Sequence, residues 1–250
     1  FPNTIVSLDH LHFPTAIPGE YSASDLWHLE QVNAPDAWEF NSGSDALVVA
    51  VIDTGCFTAH EDLQGRIFVN AEEIAGNGID DDSNGFVDDV SGWDFYDDDA
   101  IPNDETGHGT HVSGIVGARG DNGVGIVGVN WNTRILPLKV GDSSGLSSSA
   151  IAEALRYVSM MKGRGVSIVA SNNSYGSSSQ NPAALIEVKD HEEKGILFVA
   201  AAGNSGDDID GSGSSQYPAA FPQENVIAVA NSTQGDRLST GSNYGVVSVD

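Results

Sequence analysis

The sequence predicts an α/β fold, with a mostly parallel central sheet covered by helices on both faces. Five apolar, β-branched runs recur along the 250 residues, helical patterns alternate with them, and no segment repeats. Alternating strands and helices favour parallel pairing with crossover connections, and function in such sheets gathers at the carboxyl ends of the strands.

Residues 1–24 read as an irregular N-terminal arm, and 25–250 as one domain. The first strand is 46–52, "ALVVAVI", whose unbroken apolar character suits burial on both faces. "THVSGIVGA" after His108 reads as a tightly packed helix, and "TRILPLKV" (133–140) as the next strand. Over 148–162, Ile151, Leu155, Val158 and Met161 fall on one helical face. "VSIVAS" (166–171) is a strand, followed by a helix over 182–194 with Pro182 in its first turn and Gly195 as its stop. "GILFVAAA" (195–202) and "NVIAVA" (225–230) complete the set.

Composition narrows the function. Asp and Glu number 36 against 10 Lys and Arg, a formal net charge of −26. That charge repels phosphate backbones and argues against a nucleic-acid partner. No apolar run approaches the roughly 18 residues of a membrane span, and nothing at the start resembles a signal peptide. The chain begins either as a cytosolic protein or after processing, and a first residue Phe1 instead of Met favours processing. Cys56 is the sole cysteine, so no internal disulfide forms, and it reads as small core filler. Between Arg66 and Arg119 lie 13 acidic residues and no Lys or Arg. Such a stretch is either a solvated acidic face or a holder of divalent metal.

Asp53 stands at the carboxyl end of the first strand, in "VIDTG". A carboxylate buried there requires hydrogen-bond donors or a cation. "DTG" also marks aspartic proteases, but they pair two such loops on an all-β scaffold, and no second D-[ST]-G occurs here. In "GHGTHVSGIVG" (107–117), His108 sits at a helix start between two glycines. The helix dipole favours its neutral form and a nearby aspartate the charged one, which suits a general base; a packed structural histidine is the other reading. His108 and His111 are three apart with no intervening Glu, which argues against a zinc pair. Asn204, in "AAAGNSG", is an oxyanion donor or an ordinary loop asparagine. "GVGIVG" (123–128) matches a dinucleotide fingerprint but precedes a strand, so that reading fails. "DDDSNG" (80–85) opens like an EF-hand calcium loop: Asp80, Asp82 and Asn84 alternate before Gly85, and Asp88 or Asp89 would close the shell. Ser91 stands where an EF-hand has its Glu.

Taken together, "VIDTG", "GHGTHVSG" and "AAGNSG", with "QVNAPDAW", "NNSYGS" and "YPAAFP", resemble the subtilisin-like serine proteases (subtilases) in motif and order over about residues 25–250. The resemblance implies a subtilisin-like fold and a Ser–His–Asp triad: Asp53 orients the imidazole, His108 is the base, His111 is structural and Asn204 lends its amide to the oxyanion. Ser174, Tyr175 and Gly176 would pair with extended substrate, Ser144, Gly145 and Leu146 would flank its other side, and Ala201, Ala202 and Gly203 would line the primary specificity pocket. It further implies calcium at a thermitase-like loop of Asp94, Asp97, Asp99, Asn103 and the Ile101 carbonyl. Another calcium would be held by Asp62 with Asn122 and the Val124 and Ile126 carbonyls.

The family's nucleophile lies in a G-T-S-x-A motif that these residues lack, so it is expected downstream of residue 250 and the 250-residue chain alone is expected to be inactive. The expectation is a secreted, calcium-stabilised serine endopeptidase acting on proteins or peptides, with a propeptide or the remaining C-terminal segment as further partner and no membrane partner. A non-catalytic, calcium-binding pseudoprotease or peptide-binding module is the alternative.

Overall fold

The computed structural model describes residues 17–22, 25–211 and 215–250. Most of the expected N-terminal arm lies outside the described residues. Two short helices, α1 (Trp27–Gln31) and α2 (Ala34–Trp38), lead into the sheet. Its strands are β1 (Val48–Asp53), β2 (Trp93–Asp94), β3 (Arg134–Lys139), β6 (Ile168–Asn173), β7 (Leu197–Ala201) and β8 (Val226–Val229). A hairpin, β4 (Gly141–Asp142) with β5 (Gly145–Leu146), follows β3. The sheet order is β2-β3-β1-β6-β7-β8, and every pairing in it is parallel.

Strand periodicity assigns the two faces. Ala50, Ile52, Leu136 and Leu138 point into a core shared with α4 (Ser148–Gly163) and α5 (Pro182–Glu193). Val51 and Ile135 point the other way, onto Val112 and Val116 of α3 (His108–Gly117). Ser147 caps α4 by accepting from Ala150 N, and Asn181 caps α5 by accepting from Ala183 N and Ala184 N.

The expected strand over 166–171 is shifted: β6 begins at Ile168 and runs on through Ser171, Asn172 and Asn173. These polar residues stay in the sheet because they satisfy one another. Asn173 Nδ2 donates to Ser171 O, Ser171 Oγ and Val199 O. That continuation carries the chain to Ser174 at the strand end.

Candidate active site

Asp53 is the last residue of β1, and His108 is the first of α3. Parallel pairing of β1 with β3 and β6 places Asp53 at the carboxyl rim of the sheet, level with Lys139 of β3. There His108 Nδ1 lies 2.6 Å from Asp53 Oδ1. The carboxylate is 1% exposed and the imidazole 54% exposed, so a buried anion orients a ring whose far side meets solvent. Thr54 N also donates to Asp53 Oδ1, at 2.7 Å, while Oδ2 is buried without a partner among the described residues.

Close backbone approach makes this contact possible. A Cβ on Gly109 would fall 3.1 Å from Asp53 Cβ and closer still to the Gly55 carbonyl oxygen. Gly55 itself has φ +106° and abuts the Asn103 carbonyl, so a side chain is excluded at both positions.

Asp104 and Thr54, outside the expected site residues, complete the junction. Thr54 Oγ1 donates to Asp104 Oδ1 (3.0 Å) and accepts from Gly109 N (3.0 Å). The available signal was an acid four residues before His108, followed by Thr106, Gly107 and Thr110, all of which donate to it. His111 lines a groove with Phe57, His60 and Ile126.

The remaining expected residues collect on the same rim. Ser174, Tyr175 and Gly176 follow β6; Ala201 ends β7 and Ala202 and Gly203 follow it. Asn204 comes next and is exposed. Ser144 is in the β4–β5 turn, and Gly145 and Leu146 form β5. Leu146, Tyr175 and Gly176 line one cavity with Phe198, Tyr217 and Phe221. Tyr175 O–H donates to Asn173 Oδ1, and burial pushes its phenol up well beyond the ordinary range. Gln216 fills the gap between Gly176 and Gly203: a Cβ on Gly203 would come 3.3 Å from Gln216 Cγ, and one on Gly176 3.1 Å from its amide carbon.

The acidic loops differ in how they fit a cation. Glu73, Asp82 and Asp89 each bring a carboxylate oxygen within 4.8 Å of the others. Glu73 and Asp89 are buried, and oxygen donors of this kind suit a hard divalent ion. Asn70 Nδ2 donates to both Asp82 and Asp89 at 3.0 Å, and Arg164 reaches Asp82 at 3.2 Å. Asp80 instead accepts from Asn84 N and Gly85 N, and Asp88 from Asn77 N and Gly78 N. Glu73 therefore joins the cluster without having been anticipated.

In the 94–103 loop a protein cation is already present. Lys139 Nζ lies 2.8 Å from Asp94, 3.3 Å from Asp97 and 3.2 Å from Glu105. Asp99 accepts from Ile101 N, and Asn103 lines the same pocket. Burial pushes the Lys139 ammonium down, and Asp94, Glu105 and Asp97 more than reverse this, leaving it above the ordinary lysine range. The third set converges: Asp62 accepts from Asn122 Nδ2 and Ile126 N, both at 2.8 Å, with Val124 N bonded to Asn122 Oδ1.

Fold and rim together describe an α/β protein with a carboxylate–imidazole pair at the carboxyl ends of its parallel strands. Residues 44–250 match the model of the subtilase family, peptidase S8, and the chain belongs to that family. It is 33% identical to thermitase of Thermoactinomyces vulgaris over 228 residues, spanning 91% of this chain and 69% of thermitase. It is 36% identical to a thermophilic serine proteinase of Bacillus sp. strain AK1, spanning 84% of this chain but only 44% of that protein. Among solved structures, a protease of Pseudoalteromonas arctica superposes with a TM-score of 0.70 at 26% identity, over 93% of this chain and 70% of that one. A cold-adapted subtilisin-like serine proteinase superposes with a TM-score of 0.61 at 28% identity, over 84% of this chain and 64% of that one.

Proposed function

We propose that this chain is the Asp- and His-bearing part of a secreted serine endopeptidase that cleaves proteins or peptides. The observation that carries the reading is the 2.6 Å contact between buried Asp53 and His108 at the carboxyl rim. Asp53 fixes the tautomer, so that Nδ1 holds the proton and Nε2 faces outward to take one from a serine hydroxyl. The same imidazole returns that proton to the leaving amine, and Asp53 stabilises the imidazolium between the two events. Asn204 donates its amide to the oxyanion of the tetrahedral intermediate.

Extended substrate backbone lies between Ser174–Gly176 and Ser144–Leu146, with its P1 side chain against Ala201–Gly203. The serine belongs to a G-T-S-x-A segment outside these 250 residues. A propeptide or the remaining C-terminal segment of the protein is the further partner.

Calcium stabilises the fold in this reading. Glu73, Asp82 and Asp89 are its first site, supported by burial and convergence. Asp62 with Asn122 and the Val124 and Ile126 carbonyls is a second. When bound, calcium offsets the mutual repulsion of carboxylates and couples folding to metal.

The test is labelling of the native protein with a fluorophosphonate serine probe alongside its intact mass. Label on a polypeptide containing G-T-S-x-A, lost in His108→Ala, is expected. No label on any species would leave the alternative, a calcium-binding module that holds peptide without cutting it.

A further inference from the structure

Helix α3 begins without a side-chain cap: its N-cap residue is Gly107, at φ +88°. Its first amides nevertheless have an acceptor. Asp104 takes Gly107 N on Oδ1 at 2.9 Å and Thr110 N on Oδ2 at 2.9 Å, with the Thr110 hydroxyl at 2.7 Å. A carboxylate three residues before the N-cap position thus does the work normally done from that position.

Its reach extends beyond the helix. Oδ1 also accepts from Thr54 Oγ1 (3.0 Å), and Thr106 Oγ1 lies 2.8 Å from Thr54 Oγ1 and 2.9 Å from Asp104. Thr54 is the neighbour of Asp53 and donates its amide to that carboxylate. Thr54 Oγ1 accepts from the amide of Gly109, the neighbour of His108, and Thr106 Oγ1 accepts from His108 N at 3.3 Å. Two segments 55 positions apart in sequence therefore meet through one short chain of hydrogen bonds anchored on Asp104.

We propose that Asp104 is a positioning residue: acting through Thr54 and the first turn of α3, it holds Asp53 and His108 in hydrogen-bonding register. The proposal rests on the reading of His108 as the base oriented by Asp53. A carboxylate at the start of α3 is also favourable to the helix dipole.

A simple helix cap and a positioning residue differ in what Thr54 does. A cap acts on α3 alone, whereas positioning passes through the Thr54 hydroxyl to both members of the pair. The experiment is proton NMR of the His108 Nδ1–H resonance, with far-UV circular dichroism to establish folding. It is done in wild type, Asp104→Ala, Thr54→Val and Thr54→Ser. Wild type is expected to show a low-field Nδ1–H protected from exchange. Asp104→Ala and Thr54→Val are expected to lose it while remaining folded, and Thr54→Ser, which restores the hydroxyl, to recover it.

In the protein carrying its nucleophile, the same two losses are expected to lower kcat about 100-fold, the scale of a 1 Å misplacement, with KM little changed. Retention of the wild-type resonance in folded Asp104→Ala would reduce Asp104 to a cap and overturn the proposal. If Asp104→Ala does not fold, Thr54→Val decides: an unchanged resonance there overturns it equally. Absence of the resonance from wild type would remove the Asp53–His108 reading itself, a failure separable from that of Asp104 alone.

Discussion

Gly109, at the second position of α3, packs directly on the Gly55 carbonyl and within 3.1 Å, measured from an added Cβ, of Asp53 Cβ. The helix bearing His108 can approach the strand bearing Asp53 only because position 109 has no side chain. Alanine in a helix interior is ordinarily worth about 1 kcal/mol over glycine. Here the steric term opposes it, and overpacking of this kind costs about 1–3 kcal/mol. Gly109→Ala is therefore expected to destabilise, by about 2–4 °C in Tm per kcal/mol for a domain of this size. A thermal melt that moves upward would show that the contact can relax.

Lys139 is expected to be the most costly single cation to remove. Its side chain and that of Asp94 are 5% and 2% exposed, whereas Asp97 and Glu105 are 59% and 58% exposed. The surface partners contribute little; the buried Asp94 pair dominates, and stripping one partner from such a pair costs about 3–5 kcal/mol. Lys139→Met should show that loss in urea unfolding. Adding Asp94→Asn, which removes the stranded charge and keeps an acceptor for Tyr96 N and Asp97 N, should recover most of it. Added calcium should stabilise Lys139→Met more than wild type, because Asp94, Asp97 and Glu105 then lack their internal cation.

Calcium itself should raise the Tm of wild type and chelation lower it. Saturation at 100 times Kd stabilises by about 2.7 kcal/mol for each site that exists only in the folded state. Glu73→Gln and Asp89→Asn are expected to abolish the largest part of that response, while Asp88→Asn, whose carboxylate faces Asn77 N and Gly78 N, leaves it intact. Equal responses in all three variants would displace the site from the Glu73–Asp82–Asp89 cluster.

Acid should weaken the protein through His191. The ring is fully buried, and its Nε2 lies 3.0 Å from the Leu155 carbonyl. Burial lowers its proton affinity below the ordinary 6.5, against the opposing effects of Leu155 O and Asp190. Below pH 6.5 the unfolded chain therefore binds the proton first, and stability falls as the pH drops. The loss is at most about 1.4 kcal/mol per pH unit for one such group. His191→Phe, beside Phe198, should flatten the slope of unfolding free energy between pH 6.5 and 5. An unchanged slope would assign the effect elsewhere.

Much of this arrangement was legible in the sequence because the signals are local. An apolar run ending in Asp53 marks a buried strand with a carboxylate at its tip, and two glycines around His108 mark a crowded helix start. The polar end of β6 was missed because Ser171 and Asn173 pair only once the strand is in the sheet. Thr54, Asp104, Glu73 and Lys139 escaped for the same reason. Thr54 and Asp104 are 50 positions apart, and Lys139 and Asp97 are 42 apart, so only the folded topology brings them together. The D-x-D-x-N-G pattern announced an acidic loop but not which oxygens turn inward; that depends on Asn70 and Tyr157, which lie outside it.

The sheet order has a temporal consequence. β1, the central strand, is made early but pairs with β3 and β6, which come much later in the chain. At about 5–20 residues per second of synthesis, its first neighbour emerges roughly 4–17 s after Val48 and its second roughly 6–24 s after. For that interval "VVAVID" is an unpaired apolar ribbon on the ribosome, and parallel pairing over such separations is slow even afterwards. The same topology that lets Asp53 meet His108 at one rim leaves the apolar strand β1 waiting longest, among the described strands, for partners on both sides.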